Sequence, residues 1–187
     1  MEVGEALPAY KRYTYDDYCS WDDDKRRELI DGIPHAMSAP TIRHQEVSSS
    51  LHNLLYNFLK GKPCKVFAAP VDVRLNADSY DDTVVQPDIL VVCDRSKLND
   101  RCCVGAPDLV AEILSPSTLV LDKITKHRLY LRTSVREYWI VDPEGKTVSV
   151  NILKNGEYAT RAYSVSDSVP VHVLDGCVID LSEVFAE

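Results

Sequence analysis

Two carboxylates stand where the surrounding sequence is apolar. Glu112 lies in residues 107–118 (PDLVAEILSPST), which open with a Pro-Asp turn and run almost unbroken in apolar residues to Ser-Pro, the pattern of a strand buried on both faces. A buried, unpaired carboxylate costs several kcal/mol, so this position demands a cation, a metal or a raised pKa. Residues 84–93 (VVQPDILVVC) have the same form, with Asp88 after Pro87 and ahead of Ile89 to Val92. Two acids converging from consecutive strands make a hard-oxygen site suited to Mg²⁺ or Mn²⁺. Such an ion polarises a phosphoryl oxygen and acidifies water.

A third residue completes that chemistry if Lys126, on the helix after the Glu112 strand, reaches back to the pair to orient water and stabilise phosphoryl charge. Each residue also has a plainer reading. Asp88 is a turn residue after proline. Glu112 pairs structurally with a helix lysine. Lys126 forms an i,i+4 surface pair with Asp122, and Lys123 competes for its role. His44 binds phosphate at a helix N-terminus, or is a solvated or capping histidine. Glu28 is a surface acid of a hairpin, unless the hairpin edge beside the first long helix carries it to the same site. Tyr130 and Trp139 read as core, and Ser115 and Ser117 as helix caps.

The elements that must position these groups follow from periodicity and turn signals. A short lead-in helix begins at Thr14 with Asp16 and Asp17 in its first turn. Asp31-Gly32 joins residues 27–30 to 33–37 as a hairpin. Val47, Leu51, Leu54, Leu55, Phe58 and Leu59 recur at helical spacing, ended by Gly61 and Pro63, with His44 in the first turn. A strand over 66–75, the Asp88 strand, a polar connection over 94–106 and the Glu112 strand come next. Then follow a helix through Leu121, Ile124 and Leu131, a central strand over 137–141, a hairpin turning at Asn155-Gly156, and a tail with a short strand and a capped turn. The core order is α-β-β-β-α-β, a mixed α/β (α+β) sheet flanked by helices with added β-hairpins.

Composition bounds the rest. The 187 residues fit one domain, 1–187, with residues 1–13 as an N-terminal extension. No apolar run approaches a membrane span and no secretory signal is visible, which sets the expectation of a cytoplasmic protein with no membrane partner. The net charge of −8 opposes simple nucleic-acid binding, although a local basic face is compatible with it. The six cysteines show no CxxC spacing and are expected to be structural thiols. No GxSxG, P-loop, HExxH or GxGxxG motif is present.

Taken jointly, RELIDG at 27–32, the His44-led helix, VVQPDILVV at 84–92, PDLVAEILSPST at 107–118, and Asp122, Lys126, Tyr130 and EYWIVDPE to 144 resemble the Uma-type putative restriction endonucleases of the PD-(D/E)XK nuclease superfamily. The resemblance spans about residues 14 to 185. It implies a restriction-endonuclease-like fold, Mg²⁺-dependent (or Mn²⁺-dependent) cleavage of DNA phosphodiesters and a homodimer. By position, Asp88 becomes the first acid, Glu112 the second and Lys126 the catalytic lysine, with Asp88 and Glu112 holding the metal and Glu28 and His44 as additional site residues. The superfamily's usual lysine position, two residues after the second acid, is Leu114 here, so the resemblance implies a lysine moved onto the next helix. The competing expectation is a catalytically inactive binding or regulatory module that keeps the nuclease fold.

Overall fold

The computed structural model describes residues 11–115 and 121–186. Helix α1 (Tyr15–Ser20) starts at Thr14, whose side chain and that of Asp17 cap each other's backbone N–H groups in a capping box. The hairpin β1 (Arg27–Ile30) and β2 (Ile33–Ala36) turns at Asp31 and Gly32, both at positive φ. A side chain on Gly32 would also strike Arg12, with a Cβ 2.8 Å from the Arg12 Cβ, so this turn requires glycine twice over. Helix α2 (Ile42–Leu59) is capped by Thr41 and buries Val47, Leu51, Leu55 and Leu59, the stripe its spacing predicts.

The expected single strand over 66–75 is two strands, β3 (Lys65–Ala68) and β4 (Asp72–Arg74). Pro70 lies between them and has no N–H to give to a ladder, so the chain changes sheets there. Pro87 similarly separates β5 (Val84–Val85) from β6 (Ile89–Val92). The connection over 94–106 holds a further strand, β7 (Cys102–Val104), before β8 (Leu109–Ile113). A wide π-type turn over Leu121–Lys126 leads into α3 (His127–Arg132). The remaining elements are β9 (Glu137–Asp142), β10 (Thr147–Lys154), β11 (Glu157–Ser164), β12 (Ser168–Pro170), β13 (Val178–Asp180) and α4 (Leu181–Val184).

Among the described residues these strands form a mixed sheet ordered β11-β10-β9-β8-β6-β3, a second sheet ordered β2-β1-β5-β4-β7, and the pair β12-β13. The expected mixed central sheet flanked by helices is therefore present, and the proline breaks pass further strands into a second sheet that carries the β1–β2 hairpin. Both remain mixed, with β8 parallel to β9 and β4 parallel to β7. The larger sheet is covered on both faces. Alternate residues Ile89, Val91, Leu109, Ala111, Ile113, Trp139 and Val141 pack with α2 and the tail. Their neighbours Leu90, Val92, Val110, Leu114, Tyr138 and Ile140 pack with α3 and residues of the second sheet. Burial on both faces is why β6 and β8 read as continuous apolar runs.

One cysteine expectation is corrected. Cys64 precedes β3 and Cys93 follows β6, and the register pairing Lys65 with Val92 sets them opposite each other, where they form a disulfide. Cys19, Cys102, Cys103 and Cys177 are thiols. Sequence spacing was uninformative because only cross-strand register brings the pair together. Among the described residues no helix is long and apolar enough to cross a membrane.

Candidate active site

The antiparallel register of β6 and β8 pairs Ile89 with Ala111 and Leu90 with Val110. One rung further, Asp88 falls opposite Glu112. Side chains alternate along a strand, so Glu112 projects on the face of Val110, the side from which α3 packs, whereas Asp88 lies in the bend before β6 at the sheet's end. The rung is tied by the backbone N–H of Ile113, which donates to Asp88 Oδ2 at 2.8 Å. The two acids of the sequence pattern are thus brought together, and both line a cavity of about 110 Å³.

Lys126 enters from the turn that leads into α3 and is only 3% exposed. Its Nζ lies 2.9 Å from Glu112 Oε1 and 2.9 Å from Glu28 Oε1. Lys123 is exposed, so of the two lysines it is Lys126 that lies against the acids. The side chain of Asp122, the expected surface partner of Lys126, lies outside the described residues, as does the expected cap Ser117. Ser115 lines the cavity. Leu114 is buried in the core cluster on the α3 side, so no side chain at that position supplies a charge.

Glu28 is not the surface acid of the plainer reading. It is 2% exposed, and its Oε1 accepts the Gln86 backbone N–H at 2.8 Å as well as Lys126. Strand β1 pairs with β5 in the second sheet, and this docking turns the β1 face bearing Glu28 inward. His44 is likewise neither solvated nor the cap of α2, since Thr41 fills that role. Instead its Nε2 sits 3.2 Å from Asp88 Oδ2. Both residues line the same cavity as Asp88 and Glu112.

Tyr130 was read as core and is core, but it is also part of the site. Its hydroxyl donates to Glu112 Oε1 at 2.6 Å, and its ring meets Tyr138 edge-on at 4.8 Å. Burial, with the Glu112 and Glu28 carboxylates beside it, pushes the phenol well above its ordinary value and keeps it a donor. The signal was available in the spacing, because Tyr130 follows Lys126 by four residues and shares its helical face. Gln86 was missed and left no signal: its backbone holds Glu28 while its side chain bonds Asp72 and Tyr18.

Glu28, Asp88 and Glu112 therefore supply three acids against two basic side chains, Lys126 and Arg26, around one small cavity. That hard-oxygen donor set with excess negative charge fits a divalent cation of the Mg²⁺ type, which takes one or two carboxylates and completes its shell from water and phosphate. Among the described residues there is no cluster of three or more His, Cys, Asp and Glu side chains arranged to hold a metal by themselves. The residues fit a two-carboxylate site shared with solvent or substrate, and do not form an all-protein cage.

Comparison with known proteins places the chain in a family. A crystal structure of a putative nuclease belonging to DUF820 from Anabaena variabilis superposes with a TM-score of 0.75 at 20% identity, over 93% of this chain and 98% of that one, which establishes the shared fold. The uncharacterized Synechocystis protein slr1290 is 28% identical over 165 residues, 84% of each chain. A second uncharacterized Synechocystis protein, sll1609, is 28% identical over 125 residues, 63% of this chain and 67% of its own. The model of the Uma2 family, described as putative restriction endonuclease, matches residues 14–182, and the chain belongs to that family.

Proposed function

We propose that this protein is a metal-dependent nuclease that hydrolyses DNA phosphodiester bonds. The observation that carries the reading is the placement of Lys126 Nζ, 2.9 Å from both Glu28 and Glu112, on the wall of a cavity that Asp88 shares. Asp88 and Glu112 are the residues that would hold Mg²⁺ or Mn²⁺, which when bound supplies Lewis acidity toward the phosphoryl group and its attacking water. Lys126 presents a fixed positive charge to that water and to the phosphoryl oxygens. His44 holds the Asp88 carboxylate, and Tyr130 and Glu28 hold Glu112 and Lys126, so the charged groups need little rearrangement during reaction. Water oxygen bonds to phosphorus, the bond from phosphorus to the leaving sugar oxygen breaks, and the water's protons pass to that oxygen and to solvent.

A catalytically inactive binding or regulatory module is the second reading, and the net charge of −8 favours it. Cleavage of mixed DNA and RNA in Mg²⁺, Mn²⁺ and chelator, beside an Asp88→Ala control, separates the two. Metal-dependent DNA cleavage lost in the control supports the nuclease, and no cleavage in any metal leaves the inactive module. A homodimer and a cytoplasmic setting are part of the same proposal. Disulfides are uncommon in that compartment. Counting free thiols on protein taken from cells, against the Cys64–Cys93 bond, therefore tests the setting, while sedimentation tests the dimer.

A further inference from the structure

Beside the acid cavity lies a second, more open cleft of about 400 Å³, lined by Tyr15, Tyr18, Trp21, Lys25, Arg26 and Arg101 among others. Arg26 and Gln86 line both spaces or join them: Arg26 lies in both linings, and Gln86 gives its backbone N–H to Glu28 on one side and its side chain to Asp72 and Tyr18 on the other. The cleft's size falls within the roughly 300–1,000 Å³ of sites that enclose small organic groups.

Its aromatic wall is braced. Trp21 meets Tyr13 and Tyr18 edge-on, with centroids at 5.4 and 5.5 Å, and the Arg27 guanidinium lies over the indole at 5.1 Å. The Tyr18 hydroxyl bonds Asp72, whose Oδ1 also accepts from Gln86, so the acid in the cleft is engaged by two donors. Arg27 is balanced by Asp23. Among the described residues none of Lys25, Arg26 and Arg101 is ion-paired, and all three are exposed. With Asp23 and Asp72 engaged, the lining of the cleft presents three exposed cations, Lys25, Arg26 and Arg101, around half-buried aromatic rings next to the acid cavity, with the exposed Asp22 and Asp24 flanking them in sequence.

We infer that this cleft is a subsite for one nucleotide of a single-stranded nucleic acid, with the base against Trp21 and Tyr18 and the backbone phosphate at Lys25, Arg26 and Arg101, feeding the adjacent phosphodiester past Arg26 and Gln86 toward Asp88 and Glu112. Aromatic rings interleaved with cations are how proteins hold unpaired bases, whose faces are hidden in a duplex. The inference deepens the nuclease reading and rests on it for the identity of the neighbouring cavity.

The test is a binding titration of the full chain in chelator, where no cleavage occurs, using decathymidylate, decauridylate and a ten-base-pair DNA duplex. The sequence holds two tryptophans, and Trp139 is buried while Trp21 lines the cleft, so quenching of indole emission reports on Trp21. Saturable quenching by the single strands, with the duplex at least tenfold weaker, is the expected result, and the two decamers show whether DNA or RNA is preferred. Read by the fluorescence anisotropy of end-labelled decathymidylate, which needs no tryptophan, Trp21→Ala is expected to raise Kd at least tenfold and Trp21→Phe to keep binding while losing the quench. Should Trp21→Ala lower the melting temperature, the exposed Arg101→Ala, expected to weaken binding several-fold, serves in its place. Equal affinity for strand and duplex, no quench of the parent protein, or unchanged Kd in Trp21→Ala and in Arg101→Ala overturns the subsite. Binding without cleavage in any metal defeats the nuclease reading and leaves the subsite standing, whereas cleavage of single strands unaffected by Trp21→Ala does the reverse.

Discussion

Glu112 and Glu137 are both buried carboxylates on adjacent, parallel strands, 3% and 0% exposed, yet their surroundings have little in common. The β8–β9 register pairs Glu112 with Ile140 and Leu109 with Glu137, so they sit at opposite ends of the same strand pair. Glu137 is met chiefly by N–H donors: Trp139 Nε1 reaches one oxygen at 2.7 Å and the Val173 backbone N–H the other at 2.9 Å, with His172 beside them. Glu112 is met by an ammonium and a phenol, beside two further acids and a cavity. A carboxylate whose oxygens each accept a neutral N–H pins the tail onto the sheet. One held by a buried cation among other acids carries its charge beside a cavity, as the proposed metal site requires. Burial alone does not distinguish them, and partners do.

The largest effect should come from removing the cation. Lys126→Met leaves Glu28 and Glu112 facing each other in a buried site, and such an orphaned charge typically costs about 3–5 kcal/mol. Urea denaturation should show that loss, and cleavage should be absent. Stability equal to the parent would mean that the cluster is not held by charge pairing.

At the other end of the strands, Glu137→Leu strands the Trp139 and Val173 N–H groups, at about 1–3 kcal/mol for each orphaned donor. The same urea denaturation should show this cost with cleavage per folded molecule unchanged. A selective loss of cleavage would erase the contrast between the two acids. Tyr130→Phe removes one hydrogen bond from Glu112 and little volume, so it should cost only about 1 kcal/mol. Because partners that orient a ligating carboxylate matter about 10–100-fold for metal affinity or activity, its effect on metal-dependent cleavage should exceed its effect on stability.

The smallest effect is a pH dependence. Burial raises the Glu137 carboxyl above its ordinary value, with the Trp139 and Val173 hydrogen bonds acting against the rise. A group raised on folding binds its proton more tightly in the native state, so its contribution is fully present below the unfolded value of about 4.3 and is lost as pH rises through the native value. The stability difference between the parent and Glu137→Gln, which does not titrate, should therefore move against the parent across that window. A difference independent of pH from 4 to 7 would show that Glu137 is not raised.

The sequence alone determined the two acid-bearing strands, their burial, the long helix and its stripe, and the hairpin at Asp31-Gly32, because these depend on periodicity and turn chemistry within a few residues. It also singled out Asp88 and Glu112, since an acid inside an apolar run is visible without coordinates. Glu137, inside EYWIV, is equally buried and was not singled out, because what separates it from Glu112 is the identity of its partners. Those partners were decided by tertiary structure. Glu28 and His44 had plausible surface readings until the docking of β1 on β5 and of α2 on the sheet buried them, and Lys126 could be chosen over Lys123 only once the turn into α3 fixed which one faces inward. Cys64 and Cys93 are 29 residues apart and meet only through strand register. Local pattern writes the elements and their apolar faces, whereas charge pairing is set by distances of a few ångströms between residues remote in sequence, which only the packed chain defines.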